Sequence, residues 1–243
     1  MRIALLSDIH GNLISMEAVI ADLKTQGVDQ VIFLGDIATL GPQPREVIGH
    51  IRDLTDQCVL GNHDLYLLKP ALGKAYMDVT WFSETIDWCI RQLQLGDFEF
   101  LRTFKPLINF QLDDDHYLLC FHGSPQSNTG TILATTLAEE LDGMLSGFYA
   151  TVMAGGHTHV QMMRQHYGTL VINVGSVGMP FQRAPFANNP TLMPWAEYAI
   201  LDWHNGAFGI DMRRVEVNVD RIKRAALDST MPDRKEWVKN WHD

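Results

Sequence analysis

A chain of 243 residues with 46% apolar side chains is long enough to bury one sizeable core. Its formal net charge of −10 argues against a nucleic-acid-binding surface, but not against a phosphorylated small molecule, because bound cations invert the local charge. No apolar run has the length of a bilayer span, and Met1-Arg2 leads straight into an apolar strand, so a cytoplasmic protein without membrane contact is expected. Cys58, Cys89 and Cys120 are widely spaced and lie in apolar runs, which predicts buried, reduced thiols.

In chain order, Arg2–Ser7 reads as a strand. Leu13, Met16, Val19, Ile20 and Leu23 then recur at helical spacing, and Gly27 ends that helix. Gln30–Leu34 is a second strand, Arg45–Leu54 a helix and Gln57–Leu60 a third strand. This β-α-β-α-β order implies a parallel sheet, with ligands beyond the carboxyl ends of its strands. An aromatic-rich helical insertion follows at about 65–104. Leu107–Leu112 and His116–Phe121 are strands, Ile132–Leu145 an amphipathic helix, and Thr151–Ala154, Val160–His166 and Thr169–Val174 strands. A Pro-rich loop covers about 178–195. Tyr198–Asp202 and Phe208–Val217 form a hairpin around Asn205-Gly206, and Val219–Asp243 is helix broken by Pro232. Nothing divides residues 1–243 into two domains.

Five polar motifs each close a predicted strand: Asp8-Ile9-His10, Gly35-Asp36, Gly61-Asn62-His63-Asp64, His122-Gly123 and Gly156-His157-Thr158-His159. Their oxygen and nitrogen donors suit divalent ions such as Mn, Fe or Zn, and they are too many for one ion. Asp36, alone at its strand end, is the natural carboxylate bridge between two ions. Asp8 with His10, and His157 with His159, stand two apart and can reach out of a turning chain together. Asn62 offers a neutral oxygen and His122 an imidazole. Two such ions would supply hydroxide at neutral pH and neutralise charge on a phosphoryl group. His63, next to Asn62, is placed to protonate a leaving oxygen, with an intrinsic pKa near neutrality. Asp64 could orient His63 or cap the following helix, and is read as the cap. Singly, each residue has a structural explanation: Asp8 as a cap for the helix near Asn12, His122 as a core histidine. No fold requirement places them all at successive strand ends.

These motifs, in this order, resemble the calcineurin-like metallophosphoesterase superfamily. Ser7-Asp8-Ile9-His10-Gly11-Asn12 and Asn173-Val174-Gly175-Ser176-Val177-Gly178 resemble its small prokaryotic phosphodiesterase branch. The resemblance implies an α/β fold of two mixed sheets flanked by helices, a four-layer αββα sandwich. It implies one metal site of Asp8, His10, Asp36 and His159, another of Asp36, Asn62, His122 and His157, and His63 as catalytic acid. Catalysis would rest on His63, Asp36 and Asn62. Two departures stand out. The V-D-R-G continuation of Ser/Thr phosphatases is missing from Ile37-Ala38-Thr39-Leu40-Gly41, and Val174 and Met179 replace a Pro and a Gln of the branch.

The expected activity is hydrolysis of a phosphate ester by in-line attack of a metal-bridging hydroxide, on a small and nucleotide-like phosphodiester. The alternatives are a phosphomonoesterase or protein phosphatase, and a non-catalytic scaffold on the same fold. The insertion and the Pro-rich loop are candidates for the substrate cleft, with Phe181, Phe186 and Trp195 for stacking and Arg183 for a distal phosphate. The competing reading has both segments bury their own aromatics or form a homodimer contact. Arg45 is read as a solvated helix start.

Overall fold

The computed structural model describes residues 1–183 and 190–242. Its elements are β1 (Arg2–Leu6), α1 (Leu13–Gln26), β2 (Gln30–Phe33), α2 (Pro44–Leu54), α3 (Asn62–Leu68), α4 (Pro70–Tyr76), α5 (Thr80–Gln92), α6 (Leu95–Leu101), β3 (Ile108–Gln111), β4 (Tyr117–Cys120), α7 (Ala138–Leu145), β5 (Val152–Gly155), β6 (Met162–His166), β7 (Thr169–Asn173), β8 (Trp195–His204), β9 (Ala207–Glu216), α8 (Val219–Asp228) and α9 (Arg234–Trp237). One sheet runs β2-β1-β8-β9 and the other β3-β4-β5-β7-β6. No helix among the described residues is long and apolar enough to cross a membrane.

The layering follows from strand alternation. Ile3 and Leu5 of β1, with Ile32, Ala199 and Leu201, face inward onto Leu118, Cys120, Val152, Ala154 and Ile172 of the second sheet. The alternate residues Ala4, Leu6, Val31, Phe33, Tyr198 and Ile200 face a helical layer through Met16, Val19, Val47, Ile51 and Ile222. On the far side, Leu119, Met153 and Val171 meet Leu141 and Leu145 of α7. The order is therefore helices, sheet, sheet, helix, as the resemblance implies. All three cysteines are free and buried, and burial pushes their thiol pKa values up.

The first sheet is mixed, as the resemblance implies: β2 pairs parallel with β1, as the β-α-β order predicts, and β8 pairs antiparallel with it. Two expectations are corrected. The predicted strand Gln57–Leu60 is reduced to isolated bridges, Phe33 to Cys58 and Val59 to Lys105, because it meets β2 only at that strand's last residue and Lys105 only singly on the other side. The predicted helix Ile132–Leu145 starts only at Ala138. Ahead of it, the Thr136 hydroxyl accepts the Leu133 N–H at 2.9 Å and closes a turn that competes with helix.

A single carboxylate ties the helical layer to the first sheet. Asp22 of α1 accepts from the Tyr198 hydroxyl of β8, and from Arg213 Nε and Nη2 of β9 at 2.8 and 3.0 Å. The Arg213 bonds lead in holding its pKa below the usual 3.8. A carboxyl whose pKa is depressed by folding stabilises the fold above its unfolded pKa and loses that contribution as pH falls through the folded value. Asp22→Asn should therefore cost about 2 kcal/mol at pH 7, and the deficit should shrink as pH drops below 3.8, measured by urea unfolding of both proteins across pH.

Candidate metal centre

The five motifs meet at the carboxyl ends of β1, β2, β4 and β5, and backbone pairing continues past the strands to hold them there. The N–H groups of Asp8, His10 and Gly11 donate to the carbonyls of Gly35, Asp36 and Ile37 at 2.9, 3.1 and 2.9 Å, so the first two loops are zipped together. Nine non-glycine residues among those described have positive φ, and five of them are Asp8, His10, Asp36, His157 and His159. L-residues adopt this region at a cost, and its concentration here is the pattern of a site held in place by its surroundings. Close approach explains two glycines. A Cβ on Gly61 would collide with the Asp36 carboxylate, and one on Gly156 with Ser7 Oγ and Asp8 Oδ2.

Two groups of donors form. Asp8, His10 and His159 bring ligand atoms within 4.8 Å of one another, as do Asp36, His122 and His157. Asp36 Oδ2 lies between them, 3.2 Å from His122 Nε2 and 3.8 Å from His10 Nε2. Asn62 Oδ1 is 3.0 Å from His122 Nε2. All are buried except His157, which is partly exposed.

The surrounding hydrogen bonds decide which way the imidazoles face. His10, His122 and His159 each point Nδ1 at a backbone carbonyl: Thr39 O at 3.1 Å, Leu34 O at 2.7 Å and Met179 O at 2.7 Å. A carbonyl only accepts, so each Nδ1 carries a hydrogen, and each Nε2, once its ring is neutral, presents a lone pair to the interior. His10 Nε2 and His159 Nε2 thus face each other at 3.0 Å. Asp8 Oδ1 is buried and accepts no hydrogen bond, with the lone-pair side of His159 Nε2 at 3.2 Å. Lone pairs and an orphaned carboxylate oxygen turned toward one point fit a shared cation.

The electrostatics agree. Burial opposes ionisation of Asp8, but His159 and His122 outweigh it and hold the carboxyl well below the usual range. Asp36 is held low in the same way, against burial, by His122 and His63. In return, Asp36 and Asp8 overcome the burial of His122 and raise it to about 10. The cluster therefore attracts positive charge, and a divalent ion competes with protons for it.

His63 differs from the sequence expectation. Burial pushes it down to about 3, against the pull of Asp36 and with the help of His10, His157 and His122, so its imidazole is neutral at neutral pH. Its Nδ1 lies 2.7 Å from the hydroxyl of Thr39, a buried residue that the motifs did not single out. Asp64 does not orient His63. Its carboxylate accepts from Gly61 N, capping α3, and from Asp36 N and Ile37 N at 2.9, 2.8 and 2.9 Å, which straps the Asp36 loop to that helix. The cap of α1 is Asn12, not Asp8: its side chain accepts from Ser15 N and donates to Gly178 O.

The segments proposed for the cleft divide. Phe181 stacks on His159 with ring centroids 4.4 Å apart, and Met179, though its side chain is buried, serves His159 through its carbonyl. Arg183 is exposed, and Trp195 lies on β8 with Arg214 over its ring. Pro185 and Phe186 lie outside the described residues. In the insertion, Tyr66, Phe82 and Ile86 form a local core against His63, whereas Tyr76 and Trp81 are about half exposed. Arg45 bonds Gln94 at the start of α6.

The model of the calcineurin-like phosphoesterase superfamily domain matches residues 1–193. An uncharacterised protein of Methanocaldococcus jannaschii is 26% identical over 97% of this chain and 95% of its own length. The symmetrical bis(5'-nucleosyl)-tetraphosphatase of Pectobacterium carotovorum is 29% identical over 157 residues, 58% of this chain, and the match spans only 50% of that enzyme. Among solved structures, a metallophosphoesterase from Sphaerobacter thermophilus superposes with a TM-score of 0.75 at 25% identity, over 99% of this chain and 98% of that one.

Two donor groups, with Asp36 Oδ2 3.8 and 3.2 Å from a histidine of each, make a stoichiometric prediction. Metal-stripped protein should take up two Mn ions per chain at pH 7 with release of protons, and His157→Ala should take up one. Titration calorimetry in buffers of different ionisation enthalpy reads both quantities, and an equal stoichiometry in the two proteins would separate His157 from the centre.

Proposed function

Because the chain belongs to the calcineurin-like phosphoesterase superfamily, a family of metal-dependent phosphoesterases, we propose that it hydrolyses a phosphodiester bond of a small, nucleotide-like substrate at a dinuclear centre. The observation that carries this reading is the convergence of Asp8, His10 and His159 with Asp36, His122 and His157, joined through Asp36 Oδ2. In it, Asp8, His10, Asp36 and His159 hold one ion and Asp36, Asn62, His122 and His157 the other. When bound, such a pair supplies a nucleophile at neutral pH and neutralises charge on the phosphoryl group.

The chain's own side chains do the rest. The carbonyls of Thr39, Leu34 and Met179 keep three imidazoles in the ligating tautomer, so the donors need no rearrangement when charge develops. Asn62 adds a neutral oxygen, and its neighbour His63 donates toward the leaving oxygen of a substrate lying in line with the attack. Arg183, exposed beyond Phe181, is assigned to a distal phosphate. The half-exposed Tyr76 and Trp81 offer faces for a base.

A nucleotide-like substrate is supported by the tetraphosphatase relatives and by a donor cluster whose cations would offset an acidic chain. Where Ser/Thr phosphatases carry Arg and Asp, Ile37-Ala38-Thr39-Leu40 has no charge, and Leu40 packs on the Tyr66 cluster, which weighs against a phosphoprotein substrate. The alternative is a small-molecule phosphomonoesterase. With Mn, turnover should be higher on model diesters than on the matching monoesters, and activity confined to monoesters would favour the alternative. His63→Ala should keep its metal by elemental analysis and lose about 100-fold in kcat, most on poor leaving groups. Unchanged turnover removes His63 from the donor role.

A further inference from the structure

Five histidines crowd this pocket, and of the four whose Nδ1 is hydrogen-bonded, one is held differently from the others. His10, His122 and His159 turn Nδ1 toward backbone carbonyls, which can only accept. His63 turns Nδ1 toward Thr39 Oγ1, 2.7 Å away, and a hydroxyl can donate or accept. The environment of Thr39 resolves the choice. Its side chain is fully buried, and among the described residues its hydroxyl meets no other partner. A buried hydroxyl proton left without an acceptor is costly, and among the described residues the one acceptor in reach is His63 Nδ1. The hydroxyl therefore donates, Nδ1 accepts, and the hydrogen of the neutral ring sits on Nε2.

We propose that Thr39 is a positioning residue that locks His63 in the neutral Nε2–H tautomer, so that His63 stabilises the leaving oxygen by a hydrogen bond rather than by handing over a proton. The inference rests on the reading of His63 as the donor to the leaving group. Bond by bond, the P–O bond breaks with its electron pair on the leaving oxygen, Nε2–H hydrogen-bonds that oxygen, and solvent protonates it after release. A carboxylate facing Nδ1 would instead stabilise an imidazolium and favour full proton transfer. Here the residues after Asp36 are Ile37, Ala38, Thr39 and Leu40, and the carboxylate of Asp64 is taken up by three backbone N–H groups. Among nucleotide-like diesters, the site thus favours those whose leaving group departs readily as an anion, such as a phosphate or an aryl oxygen, over those that release an alkoxide.

Thr39 also acts on the centre through its backbone, since its carbonyl accepts from Nδ1 of His10 while its hydroxyl serves His63. The His10 and His63 rings meet edge to face with centroids 5.0 Å apart. One residue therefore fixes two adjacent imidazoles in opposite tautomers: the carbonyl makes one a lone-pair donor, and the hydroxyl makes the other a hydrogen donor. A side-chain substitution at Thr39 removes only the second function.

The tautomer is read directly from long-range proton–nitrogen correlation spectra of the imidazoles in the zinc-loaded protein, which is diamagnetic. His63 should show a bare Nδ1 and a protonated Nε2, and a protonated Nδ1 overturns the proposal whatever the activity. Thr39→Val should lose that fixed pattern and lower kcat about tenfold on aryl phosphodiesters, with KM changed less than twofold and both metals retained. Thr39→Ser should restore the spectrum and most of kcat, which also guards against a folding defect in Thr39→Val. Wild-type rates should fall steeply as the leaving-group pKa rises, and a rate indifferent to it overturns the hydrogen-bond role. Unchanged kcat in Thr39→Val with His63→Ala crippled refutes Thr39 alone. Unchanged kcat in His63→Ala refutes the donor reading, while the spectrum still judges Thr39.

Discussion

Asp8 and Asp36 place two carboxylates in the interior at adjacent strand ends, and the rest of the structure answers to that constraint. Buried negative charge is costly unless positive charge or hydrogen-bond donors meet it. Backbone donors meet part of it: His157 N bonds Asp8 Oδ2, and His63 N bonds Asp36 Oδ1. The other oxygens, Asp8 Oδ1 and Asp36 Oδ2, are left to face imidazole nitrogens. Each carboxylate thus has one oxygen committed to the fold and one turned to the centre. That division fixes which oxygens a cation would meet and how firmly the loops are held around them.

Holding the arrangement requires backbone that ordinary loops avoid. Five candidate ligands have positive φ, and the energy for that comes from packing elsewhere. The sheets supply it through an inner layer buried on both sides and through parallel pairing that extends past the strand ends into the loops. Asp64 adds a strap from α3 to the Asp36 loop, and Asn12 joins the cap of α1 to Gly178. These bonds run between loops far apart in sequence, so the centre is a tertiary object even though its donors sit in short local motifs.

Much of the fold was legible because alternation and helical spacing are local signals. Arg2–Leu6 and Gln30–Phe33 are strands as expected, and the helix ending at Gly27 closes with that glycine in the left-handed region. The misses have local causes too. Gln57–Leu60 has the composition of a strand, but it bridges Phe33 and Lys105 only one residue at a time. Thr136 sits in a helical pattern, but its hydroxyl closes a turn. The C-terminal hairpin was expected as a hairpin, yet its place beside β1, which makes the first sheet mixed, depends on an apolar face matching one nearly two hundred residues away.

At the site, the sequence by itself determined the donor types and their strand-end positions, because metal chemistry restricts the side chains that serve it. Tertiary structure alone decided the tautomers. The partners of His10, His122 and His159 are the carbonyls of Thr39, Leu34 and Met179, atoms that every residue possesses and that no motif marks. It also replaced the expected near-neutral His63 with a neutral imidazole held by Thr39, because burial and a hydroxyl neighbour are set by packing across the site rather than by Gly61-Asn62-His63-Asp64. Residue types fix what can bind, and the folded environment fixes where each hydrogen lies, because only the fold brings a distant carbonyl or hydroxyl to within 3 Å of a ring nitrogen.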